Sequence, residues 1–461
     1  MSTTLFDSLV GIVGKENVSS KEMDLICYSS DVAPLPDTII STYGMKMPSL
    51  IVRPQDPDQI SAILKLANEK GVPVTPRAGA SSGMGAGLPI DGGIVLDMTS
   101  MDSILLIDEE RMRVTVQAGV TFQKLLSELG KRKLKLGTCP TSAPSSTVGG
   151  YISNGGCAGI GAPKYGPIGS QILELDLVLP NGEILSVDTP YSSLFVGAEG
   201  TLGVITQVVL RIQPIPESFT ALAYGFDDIV SACHGLESLL GSGVMPNSLT
   251  FVDRHFLDTV CELGLDEPKH EIVIFLTLEG RKQEVVADEK AIDKIFFGGK
   301  RLNSSFAMEE WERRYKAELF IKRAGPTIIL GETNIPIIKL KEAVDYLKEV
   351  NKKLGLNTCF YGIMGYGGSM LTMPIVLTDE RLEEDYFNTM LASLKMTSAV
   401  ISKGGVVYTV GLHNCIFMEF IHNAKKLEIM KLLKKNFDPN GILNPGKLTE
   451  CRTAWLASLI K

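Results

Sequence analysis

Apolar residues along the first half of the chain recur at two periods. Between residues 56 and 71, Ile60, Ile63, Leu64 and Ala67 fall at helical spacing. The span predicts a helix with Asp56 as N-cap, Pro57 at the first helical position and Gly71 at its end. Residues 121–130 predict a second helix, capped by Thr121. Residues 49–53, 113–118 and 204–212 read as strands. Residues 173–178 and 183–187 flank Asn181-Gly182 and read as a hairpin. Past Pro214-Ile215-Pro216 the pattern predicts strands at 271–278 and 327–330 and helices at 337–354, 380–401 and 424–436. The two prolines mark a boundary, giving domains at 1–215 and 216–433 and a C-terminal segment at 434–461.

A loop between the strand-like runs 72–75 and 93–97 carries the first chemistry. It reads Pro76-Arg77-Ala78-Gly79-Ala80-Ser81-Ser82-Gly83-Met84-Gly85-Ala86-Gly87. Glycines let backbone approach a ligand closely. Successive N–H groups can then converge on an anion, and Arg77 adds a forked cationic donor. Taken alone, the loop reads equally well as an ordinary glycine-rich turn. Three further segments change that balance: residues 147–161, with Gly149, Gly150, Ser153, Gly156, Gly159 and Gly161; residues 199–205, with Glu199, Gly200, Gly203 and Ile205; and residues 438–447, with Asn444.

The order and spacing of these four segments resemble the FAD-binding family that includes vanillyl-alcohol oxidase, D-lactate dehydrogenase and the flavin subunit of glycolate oxidase. That family writes the first loop Pro-Arg-Gly-x-Gly-Thr-Ser, so Ala78, Ala80 and Ser81 are small-for-small changes. The resemblance runs from about residue 28 to 447 and implies an α+β chain. It would have a two-subdomain FAD-binding fold and a cap of antiparallel sheet plus helices, from which the C-terminal segment returns to the FAD domain. FAD is expected across residues 77–87, Pro140, Thr141, Ser142, residues 149–161 and residues 199–205, with Asn444 approaching the ring.

Composition suits such an enzyme. A chain of 461 residues exceeds one core, so two or three domains are expected. Hydrophobic residues make up 44% and charged residues 21%, which excludes a disordered chain. The net charge of −8 argues against a nucleic-acid partner. No run of 18 apolar residues predicts a membrane span, and residues 1–7 lack the order of a signal peptide, so a cytoplasmic protein is expected. The eight cysteines form no Cys-x-x-Cys pair, so they are expected to be reduced, and any iron–sulfur cluster must sit on another polypeptide. No Gly-x-Gly-x-x-Gly opens a helix after a first strand, which disfavours a Rossmann site.

All five histidines, His234, His255, His270, His413 and His422, lie beyond Pro216, so a histidyl flavin link from the first domain is excluded. A cysteinyl link through Cys139 or Cys157 is conceivable, but packing roles fit these residues better, and FAD is expected to be non-covalent. In the hydroxy-acid branch of the family, histidines of one cap motif, which also carries an aspartate, and the glutamate of a second hold a divalent metal, and a histidine after that glutamate is the base. Here the corresponding positions are Ile363, Tyr366, Met370, Val410 and Gly411, so no metal is expected. His413 stands two residues further on, as a displaced base or a structural histidine. Tyr366, Tyr361 and Tyr408 are candidate pocket tyrosines or plain wall residues. Trp311-Glu312-Arg313-Arg314 resembles the family's Trp-x-x-Arg, which implies that Arg314 pairs with a substrate carboxylate; a solvated helix face is the alternative.

The resemblance therefore implies an FAD-dependent dehydrogenase subunit that oxidises a 2-hydroxy acid of the glycolate or D-lactate type. Its electrons would pass to an iron–sulfur or electron-transferring flavoprotein partner, with a homodimer left open. The second class is a non-catalytic or electron-transfer flavoprotein subunit of a larger complex. The apolar tail at 453–460 is expected to tuck onto its own domain or to meet a partner.

Overall fold

The computed structural model describes residues 4–32, 35–42, 44–264, 268–316, 321–356 and 358–458. Within them the chain is α+β and builds three sheets. The first has strands Leu50–Val52 and Val74–Arg77 parallel to Ile94–Asp97, with Val18–Ser19 antiparallel at one edge. Helix Pro57–Lys70 is the crossover between two of them. The Asp56 carboxylate accepts the Gln59 N–H at its start, and Gly71 closes it at φ 62°. Both caps were legible because each satisfies backbone groups that a helix end leaves open. The helix buries Ile60, Ile63, Leu64 and Ala67 in a core shared with the three longer strands.

The second sheet is antiparallel, in the order Ile104–Asp108, Arg113–Gln117, Val204–Pro214, Ile172–Val178, Ile184–Asp188. Leu134–Leu136 also pairs with Val204–Pro214. Helix Phe122–Lys131, capped by Thr121 on the Lys124 N–H, buries Phe122, Leu125 and Leu129 in this core. The expected hairpin is present, with its strands paired from Glu174↔Asp188 to Val178↔Ile184.

Strand Val204–Pro214 ends the second sheet and Ser218–Phe226 enters the third. The third sheet has nine antiparallel strands, centred on Ile272–Gly280, Ser248–Asp253, Cys359–Met364 and Ser369–Thr378. One face buries Leu222, Tyr224, Phe251 and Ile274 among apolar residues of helices Ile229–Gly241, Lys282–Ile295 and Leu340–Leu354. The opposite face carries Val252, Tyr361, Ile363, Leu371 and Met373 and packs on Ala158 of the first half of the chain. This alternation follows from the two-residue period of a strand.

The C-terminal segment completes the first sheet. Val74 N–H donates to Ile442 O, and Asn444 N–H donates to Val74 O. A buried ion pair holds this return: Lys434 Nζ lies 2.5 Å from Asp438 Oδ2 and also donates to Thr201 O and Leu443 O. Asp438 in turn accepts the Ile442 and Leu443 N–H groups.

One expectation is corrected. Cys415 and Cys451 form a disulfide, their Cα atoms 5.4 Å apart, so the cysteines are not all reduced; the other six are free thiols. The pairing joins residues 36 apart that only the tertiary fold brings together. Leu456 of the tail is buried beside Ile416 and Phe417; Leu459 and Ile460 lie outside the described residues. Among the described residues no helix is long and apolar enough to cross a membrane.

Lys434→Met leaves Asp438 buried without its counter-charge. Urea unfolding is expected to show a loss of roughly 3–5 kcal/mol. A loss below about 1 kcal/mol would show that the pair does not hold the C-terminal segment.

Candidate functional site

Four loops from the first half of the chain, two strands of the third sheet and the segments beside them enclose one cleft. Of the residues singled out in the sequence, Arg77, Ala78, Gly79, Ala80, Ser81 and Ser82 line it from the first loop, and Pro140, Thr141 and Ser142 from the next. Gly149, Gly150 and Ser153 line it from the third, and Glu199, Gly200, Gly203 and Ile205 from the fourth. Ile363, Leu371, Met373, Glu332, Tyr408 and Thr409 close it from the third sheet and the segments beside it.

The first loop is shaped by close approach. A Cβ on Gly79 would stand 2.1 Å from Ser145 O, so no side chain fits there without moving backbone. Arg77 lies over the Tyr28 ring at 5.4 Å, and its Nη1 is buried with no hydrogen-bond partner. Burial pulls its pKa down, against the pull of Asp31, Tyr28 and Asp97. Ala80 and Glu199 line the same cleft with φ of 44° and 49°. Non-glycine residues in that region cost energy and gather at functional sites.

Glu199 is buried, and it ties the walls together. Its carboxylate accepts the Val410 and Gly411 N–H groups at 2.9 Å. Burial raises its pKa, opposed by those two donors and by Lys447. Lys447 is buried as well; burial pushes its ammonium down to about 8, opposed by Glu199 and Asp31. Its Nζ donates to Ala86 O, Leu88 O and Asn444 Oδ1. Asn444 does not line the cleft. Its Nδ2 donates to Ala86 O and Glu199 O, which braces two of the loops from behind.

The remaining sequence candidates separate from the cleft. Gly156, Gly159 and Gly161 back its wall, where Ile160 exchanges both backbone bonds with Cys139. Gly83 and His413 border another, smaller cavity against helix Glu383–Ser402. There His413 Nε2 has no hydrogen-bond partner, and burial pushes the imidazole down to about 4. Tyr366 stands 59% exposed in the turn after strand Cys359–Met364. Arg314 lies on a second cavity, which touches the cleft through Thr141. Gly411, where the resemblance places a histidine, has φ 51°, and a Cβ there would stand 2.0 Å from Met84 O.

The sequence reading did not single out Glu332 and Tyr151, which join Tyr408 at the third-sheet end of the cleft. Tyr151 Oη donates to Ala158 O at 2.5 Å, and Asn334 Nδ2 donates to Cys157 Sγ at 2.6 Å beside them. Burial, with Tyr151, Cys157 and Glu332 nearby, raises the Tyr408 phenol well above its usual range. Burial also pushes the Cys139 and Cys157 thiols up to about 11. No motif marks Glu332. Its only local signal is an acid two residues after the end of an apolar strand, Thr327–Leu330. Among the described residues, no three His, Cys, Asp or Glu side chains converge in a metal-binding group.

Comparison with known proteins gives this geometry a context. The family described as FAD binding domain matches residues 48–188, and the family described as FAD linked oxidases, C-terminal domain, matches residues 215–448. The glycolate oxidase subunit GlcD of Bacillus subtilis is 28% identical, over 96% of each chain. A D-lactate dehydrogenase of Anaerostipes hadrus is 26% identical, over 89% of this chain and 91% of its own. The solved structure of p-cresol methylhydroxylase with substrate bound superposes with a TM-score of 0.81 at 17% identity, covering 97% of this chain and 96% of that one; it shows the fold. FAD is the cofactor of this fold pair. The cleft fits it: the unpartnered Nη1 of Arg77 suits a diphosphate, and the backbone at Gly79 leaves no side chain in its way.

Two outcomes follow. Arg77→Met is expected to weaken FAD binding roughly tenfold to a hundredfold, and Gly79→Ala to give colourless protein, both read from flavin absorbance beside a circular-dichroism melt. Unchanged flavin content in Arg77→Met would remove Arg77 from the cofactor site. The second outcome concerns His413, which folding holds neutral. Its folded pKa of about 4 lies below the unfolded value of 6.5, so its contribution is intact above pH 6.5 and lost as pH falls toward 4. Acidification from pH 7 to 4 should cost wild type about 3 kcal/mol more than His413→Gln. Parallel pH curves for the two proteins would show that His413 titrates normally.

Proposed function

The chain belongs to the FAD-linked oxidases, and on that premise we propose that it oxidises a small-molecule 2-hydroxy acid of the glycolate or D-lactate type and passes the electrons to a partner protein. The observation that carries this reading is the cleft itself, where one space is lined by Arg77 and Gly79 and also by Glu332 and Tyr408 from the other half of the chain. The names of the relatives, a glycolate oxidase subunit and a D-lactate dehydrogenase, support the substrate class.

Residues 1–215 form the FAD-binding part, 216–433 the substrate-facing cap, and 434–461 the segment that returns to the first part. Arg77 faces the diphosphate, while residues 77–82, 140–142, 149–153 and 199–205 present backbone to the cofactor. FAD stays non-covalent, because thiols held near 11 are poor nucleophiles. When bound, FAD supplies the acceptor for the hydride that leaves the hydroxyl-bearing carbon.

The hydroxyl proton needs a separate acceptor. Glu332 is the carboxylate at the cap end of the cleft, whereas Tyr408 is held protonated and serves as a donor. Arg314 holds the substrate carboxylate where the second cavity meets the cleft at Thr141. His413 has a structural role, since it lies in a different cavity. The electrons leave to an iron–sulfur or electron-transferring flavoprotein subunit, because this chain has no cysteine pairs spaced for a cluster. One observation favours a second reading, an electron-transfer subunit without its own substrate: positions 363, 370, 410 and 411 offer no metal ligand.

Anaerobic mixing with glycolate, D-lactate, L-lactate and 2-hydroxyglutarate decides between them. Bleaching of the flavin band by one of these acids is expected, with Glu332→Gln slowing it roughly 10²–10⁴-fold at unchanged FAD content. Bleaching only by a reduced partner protein would establish the second reading.

A further inference from the structure

The cavity beside the cleft is unlike a packing defect. It holds about 90 Å³ of space and lies between the inner face of the third sheet and two helices, Arg254–Glu262 and Ser304–Arg313. Protein interiors leave few voids larger than a water molecule, so a space of this size among apolar side chains calls for an occupant. Phe256, Leu257, Val260 and Phe275 furnish its wall, and Ala221 and Ala307 keep it open by being small.

Its charged groups gather on one side. Helix Ser304–Arg313 and the residue after it contribute Glu310, Arg313 and Arg314. Glu310 and Arg313 form an ion pair with each other. Arg314 is stacked on Trp311 at 4.1 Å and donates through Nη1 to Trp311 O. Its Nε is buried with no hydrogen-bond partner. A buried guanidinium donor left open at the edge of an apolar chamber suits an amphipathic anion. Thr141 borders both this chamber and the cleft, so one molecule can reach from one into the other. The row of inward-facing residues is continuous as well: Tyr361 lines the chamber, and its cross-strand neighbour Met373 lines the cleft.

We infer that this chamber receives the apolar tail of the substrate, so that the preferred 2-hydroxy acid carries a linear alkyl or an aryl chain of several carbons rather than the methyl group of lactate. The inference rests on the hydroxy-acid reading above and names the substrate class of that site. Arg314 takes the carboxylate near Thr141, and the chain beyond C2 runs past Ala307 toward Phe256 and Val260.

Two measurements on the FAD-loaded protein test it. The first reads binding without turnover. The chain has two tryptophans, so in Trp455→Phe the fluorescence belongs to Trp311, on the chamber wall. Octanoate should change it saturably, 1-octanol should bind at least tenfold more weakly, and Ala307→Phe should abolish both responses while keeping its flavin absorbance. If Ala307→Phe does not fold, the octanoate titration alone decides. The second compares kcat/KM for 2-hydroxypropanoate, 2-hydroxybutanoate and 2-hydroxyhexanoate, with a rise of about fourfold per methylene expected. Fluorescence unmoved by octanoate, or equal kcat/KM along the series, overturns the tail site and leaves the hydroxy-acid reading standing. Octanoate binding in a protein whose flavin no 2-hydroxy acid bleaches supports the chamber as an apolar-acid site and overturns the reaction instead.

Discussion

A single buried carboxylate holds the parts of this protein in register. Glu199 lines the cleft, and its carboxylate accepts two backbone N–H groups, from Val410 and Gly411. Its own carbonyl accepts from Asn444, which also holds Ala86 and takes a bond from Lys447. Four distant stretches of chain thus meet within a few bonds: the first glycine loop, the Glu199 loop, the end of the third sheet and the C-terminal return. A buried carboxylate without such partners would be costly. With them, each partner fixes another segment's position, and the cleft takes its shape from this knot.

The same knot accounts for the departure from the hydroxy-acid branch at residues 410 and 411. Their backbone amides are committed to Glu199, and Gly411 occupies a left-handed conformation with Met84 O where a side chain would start. A histidine at 411 would need a different backbone. His413 follows too late to replace it, because Leu412 and His413 both direct their N–H groups to Met84 O and the imidazole lies in a separate cavity. The polar groups that do reach the cap end of the cleft come from elsewhere: Glu332 after one strand, Tyr408 after another and Tyr151 from the first half of the chain.

The third sheet divides labour between its faces. Its outer face is closed by helices and serves stability. The inner face meets the first half of the chain only in part, and the unfilled remainder forms the cleft and the chamber beside it. Because side chains alternate along each strand, one run of residues such as Cys359–Met364 packs the core with Phe360 while Tyr361 and Ile363 look into the two spaces.

Much of this was legible in the sequence, for physical reasons that act locally. The helix at Pro57–Lys70, its Asp56 and Gly71 ends, the hairpin at Asn181-Gly182 and the strand Thr327–Leu330 all follow from period, caps and turn chemistry within a few residues. The glycine-rich loops were legible because close backbone approach restricts side-chain size wherever it occurs. Long-range pairing was not legible. The Cys415–Cys451 disulfide, the role of Asn444 as a brace, the seclusion of His413 and the exposure of Tyr366 depend on which segments the three sheets bring together. Residue types and spacing determined that this chain would build a cleft for FAD; only the tertiary packing decided which side chains face it, because that choice is made by contacts between residues hundreds of positions apart.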